Sequence, residues 1–352
     1  MGEEQRVVIL PPEQDMAEQK IGAPDVRVLI DDRIRLMSAV LAATDWPDKV
    51  HERKPHGTHL HARATRKHLH EFKTHGAVLA MQGLLNQGAP LEAMFALAMH
   101  MSWPELEIEA MPRWAPAGWN RQLRDFYLKS NLAQWWQDEN DAWQKAVKEA
   151  KHAFDHVMFR PFLKPFLGDI AEEFVFVPNI SYPTDQEIGL RLGREILVLT
   201  PPPLAWGDSP PWPYDEESQL VHSYRAALTQ IGRLLLIAYL RANAEKVAEA
   251  SKTELPVGDQ FKATYPTWEE QFTALFVAAA VALYLEDFVS KAEASAYVLM
   301  ERKVRGMTIL PGMISVMRRY LSELDKGRYT NLIDFLPVFP KQLRVAKKIV
   351  TL

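Results

Sequence analysis

Two stretches of the chain carry residue types at spacings that chemistry can use. The first is His222-Ser223-Tyr224-Arg225-Ala226, with Glu270 farther along. Zinc hydrolysis organised on one helix needs two histidines four apart, so that both fall on one face, with a glutamate between them to activate the metal-bound water. A further carboxylate can come from a downstream helix. Here His222 stands at the first ligand position, Ser223 at that of the base and Ala226 at that of the second ligand. A serine is a poor base at neutral pH without its own activator, and alanine offers no ligand atom. The Arg225 cation would sit beside any metal. Glu270 would supply the downstream carboxylate, yet Thr267-Trp268-Glu269-Glu270 also spells a capping box, in which Glu270 bonds back to the Thr267 amide. His222 has a structural reading too, as a hydrogen-bonded helix histidine.

The second stretch holds seven of the eleven histidines, between His51 and His75. His70-Glu71 followed by His75 has the look of a zinc motif, but the histidines are five apart. Five residues turn a helix by about 500°, so in a regular helix those imidazoles diverge by about 140°. His68 and His75, seven apart, would share a face around Glu71, separated by about 10 Å along the axis. Joint coordination then needs a third element, which His56, His59 or His61 could supply. The alternative metal set is therefore His68, His75 and Glu71; the plain reading is a polar or pH-sensitive surface.

These residues need elements to hold them. Tyr214–Leu240 places Leu220, Tyr224, Leu228, Ile231 and Leu235 at steps of four and three, one helix face, with His222 on the opposite side. Leu234–Leu240 is apolar all round, which predicts a helix end buried on every side. Asp215 is placed to cap the helix once Pro211 and Pro213 are passed. A second buried helix is expected over Thr267–Phe288. Phe174–Val177 and Glu195–Leu199 read as strands, with Ile188–Gly193 as a third. Upstream, helices are expected over Val26–Thr44, Ala64–Leu85, Pro90–Met101 and from Asn120 to Arg160. The fold class is α+β, predominantly α: a small sheet and two buried helices behind a helical N-terminal half. The organisation is a loose arm over 1–25, a helical subdomain over 26–165, an α+β subdomain over 166–335 and a tail over 336–352.

Composition bounds the partners. Hydrophobic residues at 47% and charged residues at 24% describe a globular chain, and a net charge of −4 gives no footing for nucleic acid or an anionic membrane. Cysteine is absent, which removes disulfides and thiolate chemistry. The apolar run Val7–Leu10 is short for a signal peptide, and Phe272–Leu285 is short for a membrane span, so a soluble, cytoplasmic protein is expected. Six tryptophans between Trp103 and Trp143 suit helix packing, and neither a phosphate loop nor a GxSxG elbow is present.

In combination, His59-Leu60-His61-Ala62 through Lys73-Thr74-His75-Gly76, Trp103-Pro104, the strands, the central helix and Thr267-Trp268-Glu269-Glu270-Gln271-Phe272 resemble a group of poorly characterised bacterial proteins. These are zincin-like metallopeptidases of the gluzincin type, and the resemblance spans about residues 55–335 in element order. It implies that His222 matches the first zinc ligand and Glu270 the third, while Ser223 and Ala226 replace base and second ligand. The expected protein is a catalytically inactive homologue, with zinc as the cofactor the family would bring and an unidentified protein or peptide as partner. Two alternatives stand beside it: a metal-dependent hydrolase using the His56–His75 stretch, and a structural helical protein that assembles through its tryptophan-rich half.

Overall fold

The computed structural model describes residues 24–51, 59–204 and 210–350. In chain order, β1 (Val26–Val28) leads to α1 (Asp32–Ala43), α2 (Trp46–His51), α3 (Leu60–His68), α4 (Gly76–Asn86) and α5 (Leu91–Met99). Then come α6 (Trp119–Lys129), α7 (Leu132–Asp138), α8 (Asn140–Phe154) and α9 (Phe159–Leu167). The remaining strands are β2 (Glu173–Pro178), β3 (Ile188–Leu192) and β4 (Glu195–Thr200). After the sheet run α10 (Leu220–Ala242), α11 (Ala244–Ser251), α12 (Asp259–Thr264), α13 (Trp268–Phe288) and α14 (Lys291–Val304). α15 (Leu310–Asp325), α16 (Leu332–Phe335) and α17 (Phe339–Val350) end the described chain. The fold is α+β and predominantly α, with 63% of residues helical around one small sheet.

The sheet has four strands in the order β1-β2-β4-β3, with β1, β2 and β4 parallel and β3 antiparallel to β4. A two-residue turn joins β3 to β4, and Gly193 supplies its left-handed backbone at φ 58°. Side chains alternate between the faces. Phe174, Phe176, Ile196 and Val198 pack against α8–α10, α13 and α15–α17, whereas Val175, Val177, Leu197 and Leu199 pack against α1 and α4–α7. The sheet is thus buried on both sides, which is why its central strands are unbroken apolar runs.

Several expectations need correction. Val26–Val28 is an edge strand rather than the start of a helix; α1 begins at Asp32, where the Asp31 side chain accepts from the Arg33 amide. The expected helix over Ala64–Leu85 is broken into α3, a 3-10 turn at His70–Phe72, and α4. His75 ends the break by capping α4, so His68 and His75 share no helix face. The stretch from Asn120 to Arg160 divides into three helices and the start of a fourth. Asp215 does not cap α10 but pairs with His152 Nδ1 at 2.9 Å, and a 3-10 turn at Glu217–Gln219 precedes the helix. Within the C-terminal tail, Phe339 and Leu343 of α17 are fully buried in the larger core. The boundary near residue 165 also falls inside one packing layer, because Trp143, Phe154 and Phe166 join the core made by α10 and α13.

α13 is long and apolar enough to cross a bilayer, and 78% of its apolar window is buried inside the protein. It packs between α10 and α14, which explains its apolar character on every side.

Candidate functional site

α10 starts where the sheet ends. Tyr214 is fully buried; its hydroxyl donates to the Thr200 carbonyl at 2.8 Å and accepts from the Asn179 amide at 3.1 Å. The Ser223 hydroxyl in turn donates to the Tyr214 carbonyl at 3.1 Å. The first turn of α10 is therefore tied to the ends of β2 and β4. From there two faces of the helix diverge. Leu228, Ile231 and Leu235 go into the core, as the apolar stripe predicts. His222, Arg225, Thr229, Arg233 and Ile237, at steps of three and four, line a groove of about 1420 Å³. Ile237 is only partly buried for this reason, so the all-apolar end of the helix is not enclosed on every side.

The groove floor is α13, which presents the small residues Thr273, Ala274 and Ala278; α14 forms the opposite wall through Ala296, Met300 and Val304. Met300 and Val304 are exposed, Val304 by 74%. The segment before β3 contributes Glu187, whose carboxylate takes the Arg225 guanidinium at 2.9 Å. Burial works against the charge on Glu187, but the Arg225 cation outweighs it and holds the carboxyl below its ordinary range. Glu301 on α14 is buried, 3.4 Å from Arg305, and its Oε2 makes no hydrogen bond. Burial pushes this carboxyl up, against the opposing pull of Arg305 and Arg225.

His222 lines the groove but is committed elsewhere. Its Nε2 lies 3.0 Å from the Pro201 carbonyl oxygen, which can only accept, so the ring carries its proton there. Burial and the neighbouring Arg225 push its pKa down to about 4. Ser223 and Ala226 are both fully buried, turned from the groove into the core. Glu270 lines the same groove as His222, but its carboxylate accepts from the Thr267 amide and hydroxyl, both at 2.9 Å. Both halves of the capping box are formed. The two positions that the resemblance singles out thus share one groove, and each is held by a local structural bond.

The histidine-rich stretch is dispersed. His68 stacks on Trp135, with centroids 4.5 Å apart, and its Nε2 donates to the Ser130 carbonyl at 2.8 Å. His75 accepts from the Ala77 amide through Nδ1 and meets Asp125 through Nε2 at 3.0 Å. Glu71 is exposed beside His70. His61 lies 3.7 Å from Glu139, and His59 is buried just before α3. His56 falls outside the described residues. Among the described residues no three histidine, aspartate or glutamate side chains are grouped to hold a metal ion.

Sequence reasoning missed Glu187, Glu301 and Arg233. The i,i+4 pair Glu301–Arg305 was legible as a helix ion pair. Nothing local announced that Arg225 would find its partner 38 residues upstream. No protein-family model matches the chain, and comparison with curated proteins and with solved structures finds no match.

Proposed function

We propose that the chain is a non-hydrolytic, zincin-like binding protein that receives a segment of another polypeptide in the groove over α13. The observation that supports this most is the fate of Ser223 and Ala226. Both are buried in the core, so neither presents a base or a second metal ligand to the groove beside His222. His222 itself keeps its Nε2 proton on a carbonyl, and the adjacent guanidinium of Arg225 opposes a cation there. The groove, by contrast, is well suited to binding. It is long, floored by small side chains, walled on one side by an exposed apolar stripe and on the other by fixed polar groups. The absence of cysteine fits a cytoplasmic setting.

The test has two parts. Elemental analysis of untagged protein, with His222→Ala and His68→Ala alongside, is expected to find no stoichiometric zinc in any of the three. Fluorescence anisotropy with a panel of short fluorescein-labelled peptides is expected to find binders that Ala274→Phe, which fills the groove floor, displaces. Stoichiometric zinc lost in His222→Ala, together with peptide cleavage, overturns the reading. Zinc lost only in His68→Ala moves the chemistry to the histidine-rich stretch.

A further inference from the structure

Arg233 differs from the other groove arginines in what holds it. Arg225 is paired with Glu187, and Arg305 lies against Glu301. Arg241 is exposed, where an unpaired cation is solvated at little cost. Arg233 is half-buried on the α10 wall, and its hydrogen-bond partner is an amide: Nε and Nη2 both donate to Gln230 Oε1, at 3.1 and 2.9 Å. Among the described residues no carboxylate forms an ion pair with it.

Gln230 is itself fixed from the sheet. It is buried against β3 at Gly189, where a Cβ would come within 2.7 Å of Gln230 Oε1 and 2.8 Å of its Cβ. Only glycine lets the amide approach that closely. The chain Gly189, Gln230, Arg233 therefore aims a guanidinium along the groove with its Nε side consumed and its Nη1–Nη2 edge left over. That edge is the fork that takes a carboxylate through two parallel hydrogen bonds. Ile237 and Val277 also line the groove, and apolar neighbours strengthen such a pair to the extent that they displace water from it.

We propose that Arg233 is the receptor for a single carboxylate of the bound segment, with Gln230 as its positioning residue. This rests on the reading of the groove as a polypeptide-binding site. The rest of the lining narrows the ligand further. Seven carboxylates against four guanidiniums line the groove, so a segment acidic along its length meets net repulsion there. The ligand is an apolar or basic segment bearing one carboxylate, supplied either by a chain terminus or by one acidic side chain.

Anisotropy titrations with the labelled peptides in three forms test this: a free C-terminal carboxylate, a C-terminal amide, and an amide with one internal glutamate. The expected result is that a carboxylate-bearing form binds about tenfold or more tightly than the plain amide. Whichever such form gains affinity identifies the source. Arg233→Gln should erase that difference and Arg233→Lys should restore part of it. Gln230→Ala should weaken the carboxylate form while leaving the amide unchanged, a selectivity that mere structural damage would not produce. Equal affinities for all three forms, still blocked by Ala274→Phe, overturn the assignment of Arg233 and leave the groove reading standing. No binding by any form overturns both.

Discussion

His222 Nε2 donates to the Pro201 carbonyl across 3.0 Å, joining the first turn of α10 to the segment that leaves β4. A position suited by type and spacing to chemistry is here part of the junction between helix and sheet. The bond needs a hydrogen on Nε2, which the neutral Nε2–H tautomer supplies, and burial beside Arg225 disfavours the doubly protonated form.

That environment sets a pH dependence. His222 holds off a second proton until about pH 4, whereas an unfolded chain takes one up near 6.5. Between those values the unfolded state binds more protons, so stability falls as pH drops through the window and the contribution is level on either side of it. The largest loss from this one residue is about 3 kcal/mol. Denaturant unfolding at pH 7, 5.5 and 4.5 should show a smaller decline in His222→Gln than in the parent protein; equal declines would assign the acid sensitivity to other groups.

Glu270 offers a clean separation of cap from ligand. In a capping box glutamine serves nearly as well as glutamate, so Glu270→Gln should change stability by less than about 0.5 kcal/mol. Thr267→Ala removes the acceptor for the Glu270 amide and should cost about 1 kcal/mol. Thermal unfolding of the two variants checks both values, and a large loss in Glu270→Gln would mean a role beyond the cap.

Glu187 and Arg225 form an ion pair in which both side chains are at most 15% exposed. Glu187→Gln leaves the guanidinium without its counter-ion and should cost about 3 kcal/mol, more than half of it recovered in Glu187→Gln/Arg225→Met. A double-mutant cycle by chemical denaturation measures the coupling; additive losses would mean that the pair contributes no coupling.

Arg35 is held between two rings, with its guanidinium carbon 4.3 Å from the centroids of both Trp136 and Trp143. Burial lowers its pKa, against the pull of Asp32, while Nε and Nη2 make no hydrogen bond. Arg35→Ala removes the filler between α7 and α8 and should destabilise by about 2–3 kcal/mol. Arg35→Met should cost less, because the stem is kept and no buried donor is left over. The order of the two midpoints in urea decides between packing and charge as the main term.

Sequence by itself determined the elements whose signals are local. The period of α10's apolar stripe, the β-branched and aromatic runs of β2 and β4, and the Thr267–Glu270 box each depend on side chains close in the chain, and each is found in the structure. Residue type alone also shows that Ala226 has no ligand atom and that Ser223 is no carboxylate base. What only tertiary structure decided involves partners far apart in the chain. Val26–Val28 becomes a strand because β2, about 150 residues later, offers an edge to pair with. His68 and His75 stand on either side of a 3-10 turn, bonded to Ser130 and Asp125, 62 and 50 residues away. The groove exists because α10 and α14 pack on opposite flanks of α13, and Arg233 is aimed along it because Gly189 sits on a strand that admits Gln230. Such placements depend on which surfaces meet, and no local period encodes that.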